Sequence, residues 1–175
     1  NGWMSRVESS FKDILPRLQL SIDPRRLSKS ERRTISIWII KTGIIAHRSS
    51  NYRSILPSTF SRSLYEGTSI PSGVSVFGGN TKGEITIKWF QSNIPLIITR
   101  QNEIENLDYK TGTFQFNLSI CDMFLGFAWH KYDNKKYRII SSKVHNIYPH
   151  PKYCSEKILH NEHFLASSYI HLAAR

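Results

Sequence analysis

The first third of the chain spaces its apolar residues as a helix does. Trp3, Met4, Val7, Phe11, Ile14 and Leu15 share one helical stripe, which predicts a first helix from Trp3 to about Leu15. Pro16 should end or kink it, because the ring removes an amide donor and disfavours helical geometry in the residue before it. Glu8 and Lys12 are spaced for an i, i+4 pair on its outer face. Ser28-Lys29-Ser30-Glu31 has the spacing at which a hydroxyl and a carboxylate cap a helix reciprocally, so a second helix is expected from there to about His47. Its Ile35, Ile37, Trp38, Ile39, Ile40, Ile44 and Ile45 run most of the way round, which implies neighbours on more than one side. Pro57-Ser58 followed by Phe60 and Leu64 predicts a third, shorter helix stopped near Gly67.

Beyond Gly67 the period falls to two. Val74 and Val76 precede a Gly78-Gly79-Asn80 turn, and Ile85, Ile87 and Trp89 follow it, as in a hairpin. Leu96 to Thr99 and Thr113 to Leu118 read as strands, the latter preceded by a Lys110-Thr111-Gly112 turn and separated from Ile120 to Trp129 by a bulge. Asp133-Asn134-Lys135-Lys136 reads as a turn into a strand at Tyr137 to Ile140. The tail from Lys143 carries Pro149 and Pro151, then a short helix from Ser155 to Leu165. Helices followed by strands indicate an α+β fold, with two to three N-terminal helices packed on a C-terminal antiparallel sheet of about four to five strands. A chain of 175 residues is sized for one domain, here with a helical region (residues 1–66), a sheet region (67–142) and a tail (143–175).

Composition fits a folded chain: 39% apolar and 12% aromatic residues are enough to build a core. The net charge of +11 changes the picture more, since it creates a field that attracts polyanions, with nucleic acid the leading partner class and simple solubility the alternative. The longest apolar run, Ile35 to Ala46, contains Lys41 and falls short of the roughly 20 residues needed to cross a bilayer. No signal peptide opens the chain, and Cys121 and Cys154 form neither a CxxC nor a disulfide framework, as expected of a cytoplasmic protein with reduced thiols.

Basic residues gather in two clusters. Arg25, Arg26, Lys29, Arg32 and Arg33 straddle the start of the second helix, and Lys131, Lys135, Lys136 and Arg138 surround a hairpin turn. Both are candidate nucleic-acid contacts, and solvated faces are the plainer explanation. Tyr132 and Tyr137 beside the second cluster are placed to stack on bases or to pair across strands. His145, His150, His160, His163 and His171 share a C-terminal stretch with Cys154; His160 and His163 on one helix face, with Cys154 or His150, are one candidate zinc set, but the spacing matches no standard finger, and exposed or singly hydrogen-bonded histidines are the simpler reading. There is no G-x-S-x-G elbow, Gly78-Gly79 lacks the lysine and helix of a phosphate loop, and Cys121 and Asp122 read as belonging to an apolar strand. No complete catalytic site is legible.

Asn1-Gly2-Trp3-Met4-Ser5-Arg6-Val7-Glu8 is the sharpest motif, and large apolar residues at helical spacing by themselves suggest packing. The segment resembles Cys-Asn-x-Gly-Trp-Met-Ser-x-x-Glu, which closes the zinc-knuckle end of a group of bacterial HNH-type (His-Me finger) endonuclease-like proteins. Leu27-Ser28 with Glu31, Trp38-x-x-Lys41, Ile70-Pro71-x-Gly73-x-x-Val76 and Ile147-Tyr148-Pro149 extend the resemblance, in order, to about residue 150. It implies an accessory C-terminal region of an HNH endonuclease that helps to bind DNA. The general-base histidine, the divalent metal and the structural zinc would then belong to a segment upstream of Asn1, with no catalytic residue and no metal ligand assigned within this chain. A non-catalytic protein-interaction or homodimerisation module is the alternative.

Overall fold

The computed structural model describes residues 2–50, 56–66, 69–80, 87–92, 97–100, 103–105, 113–130, 137–140, 145–149 and 156–159. Three helices precede the strands in the chain, and the fold is α+β.

Helix α1 spans Trp3–Leu20 and buries Phe11, Ile14 and Leu18. It continues past Pro16 to Leu20, beyond the end expected near Leu15. An internal proline costs about 3 kcal/mol or more, and two features offset it. Leu18 is a core residue one half-turn beyond the proline, and Asn80 satisfies the helix end from a distant strand. Its Nδ2 donates to the carbonyls of Leu18 (3.2 Å) and Gln19 (3.4 Å), and its Oδ1 accepts from the Ile22 amide (2.6 Å). The expected pairing of Glu8 with Lys12 is also replaced, because Glu8 accepts from the buried Lys41 ammonium of the next helix.

A 3₁₀ turn at Pro24–Arg26 leads to α2, Lys29–Ser49. Its start is the expected capping box, with the Glu31 amide donating to Ser28 Oγ (3.2 Å) and the Ser28 amide to Glu31 Oε2 (2.7 Å). Ile35, Ile39, Ile40 and Ile44 are buried, and α2 packs against α1, α3 (Ser58–Tyr65) and the sheet, so it has neighbours on several sides while Ile45 stays exposed. Gly43 permits that approach: a Cβ there would lie 2.5 Å from Phe127 Cε1 and 2.7 Å from Phe116 Cγ.

The principal sheet is antiparallel, with β1 (Val74–Asn80), β2 (Ile87–Ser92), β5 (Thr113–Ile120), β6 (Met123–His130) and β8 (His145–Tyr148) in the order β2-β5-β6-β1-β8. Its helix-facing side carries Val74, Val76, Phe114, Phe116, Leu118, Leu125 and Phe127, all in the core. The expected hairpin between β1 and β2 does not form. Gly78, Gly79 and Asn80 continue β1, which pairs with β6 and β8, and β2 pairs with β5. Glycine at 78 is required by crowding rather than by a turn, because a Cβ would meet Leu125 Cδ2 at 2.8 Å and the Phe124 carbonyl at 3.0 Å. The expected bulge is absent too: β5 and β6 pair without a register break, and Cys121 and Asp122 form the two-residue turn between them rather than a stretch of strand, with Cys121 at φ 52°.

A second, mixed sheet of short strands was not anticipated. It comprises β3 (Ile97–Arg100), β4 (Glu103–Glu105), β7 (Tyr137–Ile140) and β9 (Glu156–Leu159), in the order β4-β3-β9-β7, with β7 and β9 parallel. Where a helix was expected from Ser155, residues Glu156–Leu159 are a strand, because pairing on both sides with β3 and β7 overrides a weak helical pattern. The expected turns at 110–112 and 133–136 and the remainder of that helix lie outside the described residues.

Candidate nucleic-acid interface

The turn between α1 and α2 concentrates positive charge at one corner of the helical layer. Asp23 organises it. Its Oδ1 accepts from the Arg25 amide (3.0 Å) and Arg25 Nε (3.1 Å), its Oδ2 accepts from Arg25 Nη2 (3.3 Å), and Arg26 Nε lies 3.7 Å from Oδ2. The Arg25 side chain, and next its backbone amide, hold the Asp23 carboxyl below the usual carboxylate range; the same contact raises Arg25. Both guanidiniums are anchored at one end and remain open to solvent, with the Arg25 and Arg26 side chains 90% and 83% exposed.

Of the other expected contacts, Lys29 and Arg33 are exposed in the first turns of α2, one helical turn apart on the same face. Arg32 is half-buried and donates from Nη1 to the Leu27 carbonyl (2.7 Å), so it braces the turn rather than facing outward. A sixth cation joins from α1. Arg17 pairs with Glu31, and it was not singled out in the sequence because the two lie 14 residues apart and meet only through helix packing. The Ser28 backbone amide, followed by the Arg17 guanidinium, draws Glu31 down to about 2. Six cations (Arg17, Arg25, Arg26, Lys29, Arg32, Arg33) thus face two carboxylates (Asp23, Glu31), and the corner keeps a clear positive excess. Five of the six are arginines, whose planar fork suits phosphate oxygens.

The second basic cluster is described only in part. Lys131, Lys135 and Lys136 lie outside the described residues, as does Tyr132, and Arg138 and Tyr137 belong to β7 at the edge of the second sheet. His145 is exposed on β8, and His150, Cys154, His160, His163 and His171 lie outside the described residues. Among the described residues no three His, Cys, Asp or Glu side chains are grouped to hold a metal ion, and no helix is long and apolar enough to cross a membrane.

The motif residues make contacts between elements. Trp38 of α2 stacks on Phe11 of α1 (3.8 Å, 8°), and Lys41, one turn on, reaches Glu8. Trp3 meets Tyr65 of α3 edge-on at 5.6 Å. Trp3, Lys41, Ile44, Leu64 and Tyr65 border a cavity of about 10 Å3, room for about one water. Val76 of β1 is the register partner of Tyr148 on β8. These residues knit α1, α2, α3 and the sheet together, so their evident work is packing. His47, also unremarked in the sequence, is buried near the end of α2; its Nδ1 lies 3.1 Å from Gln91 Oε1 of β2, and Gln91 Nε2 donates to Ser50 Oγ (2.8 Å).

No protein-family model, curated protein or solved structure matches the chain.

Proposed function

We propose that this chain is a DNA-binding accessory domain, of the kind expected in the C-terminal region of an HNH-type endonuclease-like protein acting in the cytoplasm. The observation that carries the reading is the corner where Arg25 and Arg26, oriented by Asp23 and open to solvent, stand beside Lys29, Arg33 and Arg17. Its role is electrostatic: it neutralises phosphates along a backbone, releases their counterions and sets the register of the duplex. The metal-dependent step of such a nuclease is not assigned to residues of this chain.

The test is affinity for a short duplex measured by anisotropy across a salt series. Four phosphate contacts imply a loss of roughly 100-fold between 50 and 200 mM salt. Reversal of Arg25, Arg26, Lys29 and Arg33 to Glu should weaken binding and flatten the slope by about one per lost contact. All four are exposed, so the fold should survive. An unchanged slope would remove this corner from the interface.

A second reading, a protein-interaction or homodimerisation module, draws support from a different place. On β2, at the edge of the principal sheet, Ile87 and Trp89 are 73% and 49% exposed on the same face. Ile87→Lys with Trp89→Ser would disrupt self-association seen by sedimentation; a wild-type protein monomeric at high concentration argues against the homodimer.

A further inference from the structure

Leu20, at the last position of α1, is 85% exposed, more than any other large apolar side chain among the described residues. Single exposed leucines are common on protein surfaces. What distinguishes this one is its setting. Its backbone is not at a frayed end: Asn80 bonds to the carbonyls of Leu18 and Gln19 on one side and to the Ile22 amide on the other. The Ser21 amide closes the helix by donating to the Arg17 carbonyl (3.1 Å). The side chain is therefore held out into water on a clamped turn.

Arginines flank it in both chain directions. Arg17 lies three residues earlier, a neighbour on the helix surface. Arg25 and Arg26 follow on the 3₁₀ turn, both tied to Asp23. A held apolar tip with arginines before and after it in the chain matches a surface whose phosphates frame an apolar interior. In a nucleic-acid duplex that interior is the stacked base step, reached from the minor groove by wedge side chains that unstack it and bend the helix. An anionic bilayer is the other such surface, and the corner fits it less well. One leucine, with no second large apolar side chain exposed among the described residues of the segment 17–33, is too small an anchor for stable membrane binding.

We infer that Leu20 is a wedge residue that enters a base step of duplex DNA while Arg17, Arg25 and Arg26 hold the phosphates on either side. This rests on the DNA-binding reading above, and it adds that the bound duplex is bent at the contact.

The experiment uses the full chain, wild type and Leu20→Ala, with a duplex of about 20 base pairs carrying a donor and an acceptor dye at its ends. Wild-type protein should raise energy transfer, and it should raise the fluorescence of a 2-aminopurine placed at the step. Leu20→Ala should lose most of both signals, bind about 5- to 30-fold more weakly and keep the wild-type salt slope, since no charge has changed. Its melting temperature should be that of wild type, because the side chain is exposed. Equal bending by wild type and Leu20→Ala would overturn the wedge and leave DNA binding standing, provided the charge reversals still weaken it. A wild-type protein that does not bind the duplex would remove both. Leu20-dependent binding to phosphatidylserine vesicles without any bending of DNA would overturn the wedge in favour of a membrane contact.

Discussion

Replacing Gly43 by Ala sets two effects of known size against each other. In the interior of an exposed helix the change stabilises by about 1 kcal/mol, because glycine has the greater backbone freedom to lose. At this position the added methyl would lie 2.5 Å from Phe127 Cε1, 2.7 Å from Phe116 Cγ and 2.8 Å from Phe116 Cδ1. Those separations are well inside the ~3.5–4.0 Å optimum for carbon contacts. Neither ring can swing into solvent, since both are buried, and Phe127 also packs against Phe114 and Phe60. Relief requires α2 to rise from the sheet, which loosens Ile39, Ile40 and Ile44 together. Overpacking costs roughly 1–3 kcal/mol, and three contacts under 3 Å against buried rings place this site at about 2–3 kcal/mol, so steric cost should prevail by about 1–2 kcal/mol. For a chain of this length that corresponds to a melting temperature lower by roughly 2–8 °C. Urea denaturation followed by tryptophan fluorescence measures it. Phe116→Leu in the same background should recover some of the loss, giving a double-mutant coupling above about 0.5 kcal/mol. A Gly43→Ala protein as stable as wild type would refute the close approach of α2 to the sheet.

Other outcomes follow from the same contacts. Glu31 is drawn down from 4.5 to about 2, so the stability it contributes is complete above its unfolded value and is lost as pH falls from about 4.5 towards 2. Glu31→Gln should be less stable than wild type at pH 7, with the difference closing over that acid range; parallel pH–stability curves would contradict it. Glu8→Ala leaves the buried Lys41 ammonium without its carboxylate and should cost about 1–3 kcal/mol in chemical denaturation, whereas Lys41→Met in the Glu8→Ala background should restore some of it. No loss in Glu8→Ala would mean that water replaces the carboxylate. Ser28→Ala should cost about 0.5–2 kcal/mol through loss of the cap, visible as a lower urea midpoint.

The basic corner was half legible. Arg25, Arg26, Lys29, Arg32 and Arg33 stand out as a run of charge, but their separate duties do not. Asp23 anchors two of them, Arg32 turns inward to a carbonyl, and Arg17 arrives from another helix. Side-chain direction depends on which neighbour supplies an acceptor, and a linear pattern of charge does not carry that information.

What the chain determined unaided are features closed over a few residues. The Ser28–Glu31 cap, the helical periodicity of α1, α2 and α3, and the alternation of Val74 and Val76 in β1 all rest on bonds or periodicities within one turn or one pleat. The order of helices then strands fixes an α+β fold by the same logic. Tertiary structure decided the rest. Pro16 stays helical because Asn80, more than sixty residues away, completes the helix end, and Gly78 extends a strand because β6 crowds it. Alternation tells which face of a strand is buried but not which strand lies beside it, so β1 found β6 and β8 rather than β2. Glu8 took a buried lysine on α2 in place of an exposed one a single turn away on α1, because the unpaired ammonium of Lys41 would be costlier to leave in the core than Lys12 in water.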